Sequence, residues 1–132
     1  MLIDTDVLIW YFRGNEDARK IINANIPFKM SVVSYMELIQ GMRDKRELKI
    51  LQNHLRKWAT GIIQINENTC ARAMFIMEDF YLSHSLELAD ALIAATALEN
   101  QEILLTANDK HYRFIPNIQI SKFKIRPAAV QR

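Results

Sequence analysis

The sequence predicts an α/β domain with a mainly parallel sheet covered by helices on both faces. Two observations carry this. Short apolar runs suited to strands alternate along the chain with segments of helical periodicity. The chain has 132 residues, half of them hydrophobic and few of them Gly or Pro, which suits a single packed core. Residues 1–125 are expected to form that one domain, with a loose basic tail over 126–132.

The elements follow in order. Leu2-Ile3 favours a strand that ends at an acid, Asp4. Val7 to Phe12 reads as a short helix, with Thr5 or Asp6 as its cap. Gly14-Asn15 breaks it, and Glu16 to Asn25 gives a second helix with Ala18, Ile21 and Ile22 facing inward. After Pro27, Phe28 to Val33 suits another strand. Ser34 and Glu37 then stand at capping-box spacing, ahead of a helix that breaks at Gly41. Arg43 to Trp58 is amphipathic, with Leu48, Leu51, Leu55 and Trp58 on one side. Ile62 to Ile65 reads as a third strand. Glu67 to about Leu82 is a helix with Ala71, Met74, Phe75 and Met77 as its apolar surface, and Cys70 is expected there as a small core residue. Leu88 to about Asn100 is a helix with little polar surface, Leu88, Leu92 and Ala95 sharing one face. Glu102 to Thr106 is a fourth strand, Ala107 to Tyr112 a loop turning into a short helix, and Ile118 to Ile120 a last strand.

Asp90 is the residue that this pattern leaves unexplained. An ionised carboxylate in an apolar helix is costly unless cations or donors meet it. It either complements the positive end of its own helix or joins acids from elsewhere in a metal site. The predicted order of elements favours a pattern: Asp4 ends the first strand, Asn108-Asp109 follow the fourth, and Glu37 and Asp90 lie in flanking helices. Ligands of open parallel sheets gather at the carboxyl ends of the strands. Oxygen ligands without a Cys or His cluster suit Mg²⁺ or Mn²⁺ rather than zinc. Such a site suggests phosphodiester hydrolysis with water as nucleophile. Glu37 retains a local alternative, the capping box.

Charge placement agrees with a polyanionic substrate. Basic residues cluster at Arg43, Lys45, Arg46, Lys49, Arg56 and Lys57, and again at Lys110, Arg113, Lys122, Lys124, Arg126 and Arg132. Between Glu67 and Asp109 the only Lys or Arg is Arg72. An acidic centre with a basic rim follows, although the formal net charge is only +2. The single Cys70 excludes an internal disulfide framework. No apolar stretch reaches membrane-spanning length and no leader pattern opens the chain, so a cytoplasmic protein with no membrane partner is expected.

Four stretches carry a family resemblance. Leu2-Ile3-Asp4-Thr5-Asp6-Val7-Leu8, Ser31 to Gly41, Asp90 to Ala97, and Leu104 to Tyr112 with Ile115-Pro116 resemble, in order, the motifs of PIN-domain ribonucleases. Size and motif style look most like the VapC toxins of toxin–antitoxin pairs. The resemblance implies a three-layer α/β/α domain and an endoribonuclease dependent on Mg²⁺ or Mn²⁺. It implies Asp4, Glu37 and Asp90 as the central acidic triad, with Asp6 beside the first ligand and Thr106 lining the site. The family often has Asp two residues after that threonine. Here the residue is Asn108, which carries no charge for a second metal, and two readings stay open for the neighbouring Asp109: it substitutes for that acid, or the one-residue shift points its side chain elsewhere. The resemblance further implies a homodimer, an RNA substrate, and a VapB-like antitoxin through which alone operator DNA would be reached. Trp10, Tyr11 and Phe12 suit an antitoxin groove or dimer contact, or plain core packing.

Two alternatives stay open on the sequence: an RNA-processing nuclease with no antitoxin, and a non-catalytic protein binding through an acidic pocket.

Overall fold

A computed structural model describes residues 1–126. Five short parallel strands, β1 (Leu2–Ile3), β2 (Lys29–Ser31), β3 (Gly61–Ile63), β4 (Leu104–Thr106) and β5 (Ile120–Lys122), form one sheet in the order β3-β2-β1-β4-β5. The helices are α1 (Thr5–Phe12), α2 (Glu16–Ala24), α3 (Val32–Gln40), α4 (Lys45–Lys57), α5 (Glu67–His84) and α6 (Leu88–Glu99), with a 3-10 turn at Asp109–His111. The α/β class and the parallel sheet stand as the sequence predicts.

The period-two alternation of a strand divides the core into two. Ile3 and Leu105 point to one face, packing with Val7, Leu8, Ile22, Leu51 and Trp58 from α1, α2 and the end of α4. Leu2 and Leu104 point to the other, against Ala73, Ile76, Ile93 and Ala94 of α5 and α6. Leu2 pairs with Leu104 and Ile3 with Leu105 in register, so each face receives a matched pair from the two central strands. Every one of these residues is nearly or fully buried. With helices on both sides of the sheet, the result is three layers.

Several local expectations shift. Helix α1 is capped by Asp4, whose carboxylate accepts from the Thr5 N–H, so neither Thr5 nor Asp6 is the cap. Helix α3 begins a turn earlier than predicted, with Ser31 accepting from the Val33 N–H at 3.0 Å. The β-branched pair Val32-Val33 is drawn into the helix because β2 needs only three residues to cross the sheet. The capping box of Ser34 and Glu37 is therefore replaced: Ser34 is buried inside α3 and meets Thr5. On α5 the buried stripe is Thr69, Ala73 and Ile76, at helical spacing. Met74, Phe75 and Cys70 instead face solvent, and Leu88 of α6 is also exposed. Of the proposed basic tail, only Arg126 is described: it grips the Asp17 carboxylate with two guanidinium nitrogens. The rest of 126–132 lies outside the described residues. No described helix is long and apolar enough to cross a membrane.

Candidate functional site

The chain leaves β1 toward β2 and β3 on one side and returns to β4 and β5 on the other. The strand order thus reverses between β1 and β4, where an open sheet leaves a crevice at its carboxyl edge. Asp4 stands at the end of β1, its backbone N–H still tied to Leu105 O at 2.9 Å. Its Oδ1 caps α1 and its Oδ2 accepts from Thr106 Oγ1, the last residue of β4, at 2.9 Å. The Tyr112 hydroxyl reaches the same Oδ2 at 3.0 Å and lies 3.1 Å from Asp90 Oδ1. One buried phenol therefore joins the carboxylates that close β1 and open α6.

Asp6, the second residue of α1, aims its Oδ2 back at the β4 end. It accepts from the Ala107 N–H at 3.0 Å and from Asn108 Nδ2 at 3.1 Å, with Thr106 Oγ1 at 3.3 Å. Thr5 Oγ1 donates to Glu37 Oε1 at 2.6 Å, which fastens α3 to the residue after Asp4. His111 Nδ1 stands 3.2 Å from Asp90 Oδ2.

Counting protons shows what this arrangement lacks. Thr106 is shared between Asp4 and Asp6, and Tyr112 between Asp4 and Asp90. Each hydroxyl has one hydrogen to give, so two protons serve four carboxylate contacts. Among the described residues, Asp6 Oδ1 is buried without a hydrogen bond of normal geometry. The carboxyl groups respond as buried, crowded acids do. Burial, then the Asp6 charge, pushes Asp4 up from 3.8 to about 7, against the hydrogen bonds of Thr106, Thr5 and Tyr112. Burial also raises Asp6, although the N–H groups of Ala107 and Val7 oppose it. Asp90 is raised by burial and by the charges of Glu87 and Glu37, while His111 and Tyr112 pull it down. Burial and the two acids it touches push the Tyr112 hydroxyl far up, so the phenol keeps its proton.

Among the described residues, no three Asp, Glu, His or Cys side chains converge into a ready-made metal cage. Hydroxyls stand between the carboxylates instead. The donor chemistry nonetheless suits a hard divalent cation: the carboxylates are oxygen donors, they lack protons to share, and one buried oxygen is unmet.

The structure joins Asp4, Asp6, Asp90 and Thr106 through these bonds, ties Glu37 to them through Thr5, and gives Asn108 a contact with Asp6. Asp109 behaves differently. It pairs with Lys122 at 3.3 Å and Arg113 at 3.8 Å, as expected for a loop residue one position out of phase. Sequence reasoning passed over Tyr112 and His111. A tyrosine in the short segment past a strand end that also carries Asn108 and Asp109 was the available signal, because a buried phenol needs a polar partner.

With this geometry in place, comparison with known proteins gives a consistent result. A toxin–antitoxin complex from Klebsiella pneumoniae aligns with TM-score 0.78 and 26% identity over 94% of this chain and 98% of that one. DNA-bound VapBC from Salmonella typhimurium aligns with TM-score 0.80 and 20% identity, over 92% and 96%. FitAcB from Neisseria gonorrhoeae aligns with TM-score 0.69 and 22% identity, over 90% and 94%. The last two likenesses speak to fold alone. No curated protein matches the chain. The PIN domain model matches residues 1–115, nearly the whole described fold and every carboxylate of the cluster, and the chain accordingly belongs to the PIN domain family.

Proposed function

We propose that this protein is a VapC-like toxin, an endoribonuclease dependent on Mg²⁺ or Mn²⁺ and restrained by a VapB-like antitoxin. The observation that carries the reading is the shared Tyr112 hydroxyl, which brings Asp4 and Asp90 together at the sheet's switch point. Asp4, Asp90 and Glu37 would hold the cation, with Asp6 and Asn108 orienting the edge of the site. When bound, the cation neutralises the attacked phosphodiester and favours attack by water. Thr106 and Tyr112 keep the Asp4 carboxylate from turning, and Thr5 does the same for Glu37. The exposed cations of α4 and Lys110 supply the salt-dependent hold on the RNA backbone.

Partner surfaces support the toxin reading over a free-standing nuclease. A cleft of about 500 Å³ opens between α1, α3 and α4, with Ile9, Phe12, Leu38, Met42 and Ile50 in its wall and Glu37 at its edge. An antitoxin segment laid there would end beside the acids, and DNA would be reached through that partner. Within the aromatic group, Phe12 lines this cleft, while Tyr11 packs edge-on against Trp58 at 5.0 Å. The exposed apolar side chains Met74, Phe75 and Leu82 of α5 favour a homodimer. The test is mapping of cellular RNA ends after expression of wild type and of an Asp4→Asn, Asp90→Asn double variant. Growth arrest with discrete cuts is expected for the first only. Intact RNA from both, with folded protein, would overturn the reading.

A further inference from the structure

A second concavity, of about 250 Å³, adjoins the acid cluster on the side of α6. It lies between the corner joining α5 to α6 and the 3-10 turn. Its walls include His84, Glu87, Asp90, Lys110, His111 and Phe114. The His84 and Phe114 rings stack face to face, 4.0 Å between centroids and 18° between planes, and Phe80 backs Phe114 at 5.1 Å. A stack that only closed the core would be covered. His84 is exposed, so this one ends in an open aromatic surface beside a cleft.

Three features of the cleft point to one kind of occupant. The aromatic wall offers a flat surface of the sort on which unpaired bases stack. Lys110 places a cation among the cleft's lining residues, which suits a backbone phosphate. Asp90 belongs to both the cleft and the acid cluster, so an occupant of the cleft is chemically next to whatever the cluster acts on. His111 is held between the two by its contact with Asp90.

We propose that this cleft is a nucleobase subsite that takes the base of an unpaired RNA nucleotide flanking the phosphate at Asp90, a reading that rests on the nuclease assignment for its place in catalysis. The base stacks against the His84–Phe114 wall, and Lys110 holds its phosphate. Glu87 offers an acceptor at the edge, which favours bases bearing an exocyclic amino group over uracil. The subsite therefore contributes base preference beside the cut, which the acid cluster alone has no means to supply.

The direct test uses the full chain and needs no cleavage. Adenosine, cytidine, guanosine and uridine 5′-monophosphates are titrated separately, with ribose 5-phosphate as the base-free control, while the ring protons of His84 and Phe114 are followed by NMR. Upfield shifts with the amino-bearing nucleotides, weaker with uridine and absent with ribose 5-phosphate, are the expected result. His84→Ala should abolish them and His84→Phe should restore them. Equal shifts with ribose 5-phosphate, or none with any nucleotide, would overturn the subsite. In RNA end mapping, His84→Ala should lower kcat/KM about ten-fold, the weight of one base stack, and flatten the base preference beside the cut. An unchanged preference would also overturn it. Nucleotide shifts in a protein that cleaves no RNA would sink the nuclease reading and leave the base site standing.

Discussion

Tyr112 and Asp4 meet at 3.0 Å across 108 positions of sequence, the fully buried phenol aimed at Oδ2 of the carboxylate that closes the first strand. The same hydroxyl serves Asp90. Its ring belongs to the α5–α6 side of the core, while its oxygen reaches over the end of the sheet. Packing in one layer thereby sets the position of an acid at the edge of another.

Tyr112→Phe isolates that oxygen, because it keeps the ring and its packing. Hydrogen bonds to charged groups are worth more than neutral ones. Urea denaturation of the metal-free protein at pH 8 should show a loss of about 1–3 kcal/mol. The loss should shrink at pH 5, where Asp4, raised to about 7, is largely protonated. No loss at pH 8 would mean that the residue serves packing through its ring and that its hydroxyl does not support the acids.

Asp4 gives the metal-free protein a definite pH dependence. Its carboxyl is raised from 3.8 to about 7 in the fold, by burial first and the Asp6 charge second. Between those values the folded chain binds the proton more tightly than the unfolded chain does. Stability from this group is therefore fully present below about pH 4 and is lost as the pH climbs toward 7. Asp4→Asn should flatten that slope while still capping α1, since Asn caps nearly as well. At pH 8 in a chelator the variant should be more stable than wild type, by on the order of 2–4 kcal/mol. Thermal unfolding across pH 4–8 checks this, and a wild type that gains stability as pH rises through that range would refute it.

The same protonation should appear in metal binding. A cation bound by these carboxylates must displace the proton that Asp4 holds near neutrality. Calorimetry with Mn²⁺ in buffers of different ionisation enthalpy should report proton release at pH 6 and less at pH 8. Asp90→Asn should weaken the binding, and RNA cleavage should fall by about 100-fold or more if the acids act as one unit. Removal of divalent ions by a chelator should abolish cleavage, with Mn²⁺ restoring it.

How far these residues were legible in the sequence depended on the range of the interaction. The strands and helices, and Asp4 at a strand end, followed from short-range hydrophobic patterning. Where one helix starts within a run such as Met30 to Tyr35 did not, because Val32 and Val33 suit a strand as well as a helix and tertiary packing decided. Cys70, Met74 and Phe75 were misplaced for a related reason. Helix α5 carries apolar residues around most of its girth, so its inward face could not be read from periodicity alone. The acids were placed by family motif and by the rule for sheet edges. The hydroxyls that link them join positions 22 to 108 apart, and such pairing is beyond any local pattern.

Asn108 is the position where the cluster departs from the family pattern, and it offers the clearest gain-of-charge experiment. Its amide donates to Asp6 Oδ2 at 3.1 Å and so relieves a buried carboxylate that has few donors to spare. Asn108→Asp removes that donor and sets a second negative charge against Asp6. Burial already raises Asp6, so the new charge should raise it further. In a chelator at pH 8 the variant should lose about 1 kcal/mol or more of stability. Added Mg²⁺ or Mn²⁺ should reverse the order, because the extra carboxylate strengthens a hard-cation site and ligand binding stabilises the fold by mass action. Melting temperatures with and without Mn²⁺ decide it: a larger metal-induced rise in Asn108→Asp than in wild type is expected. An equal rise in both would place residue 108 outside the metal's reach and leave its amide the single task of steadying Asp6.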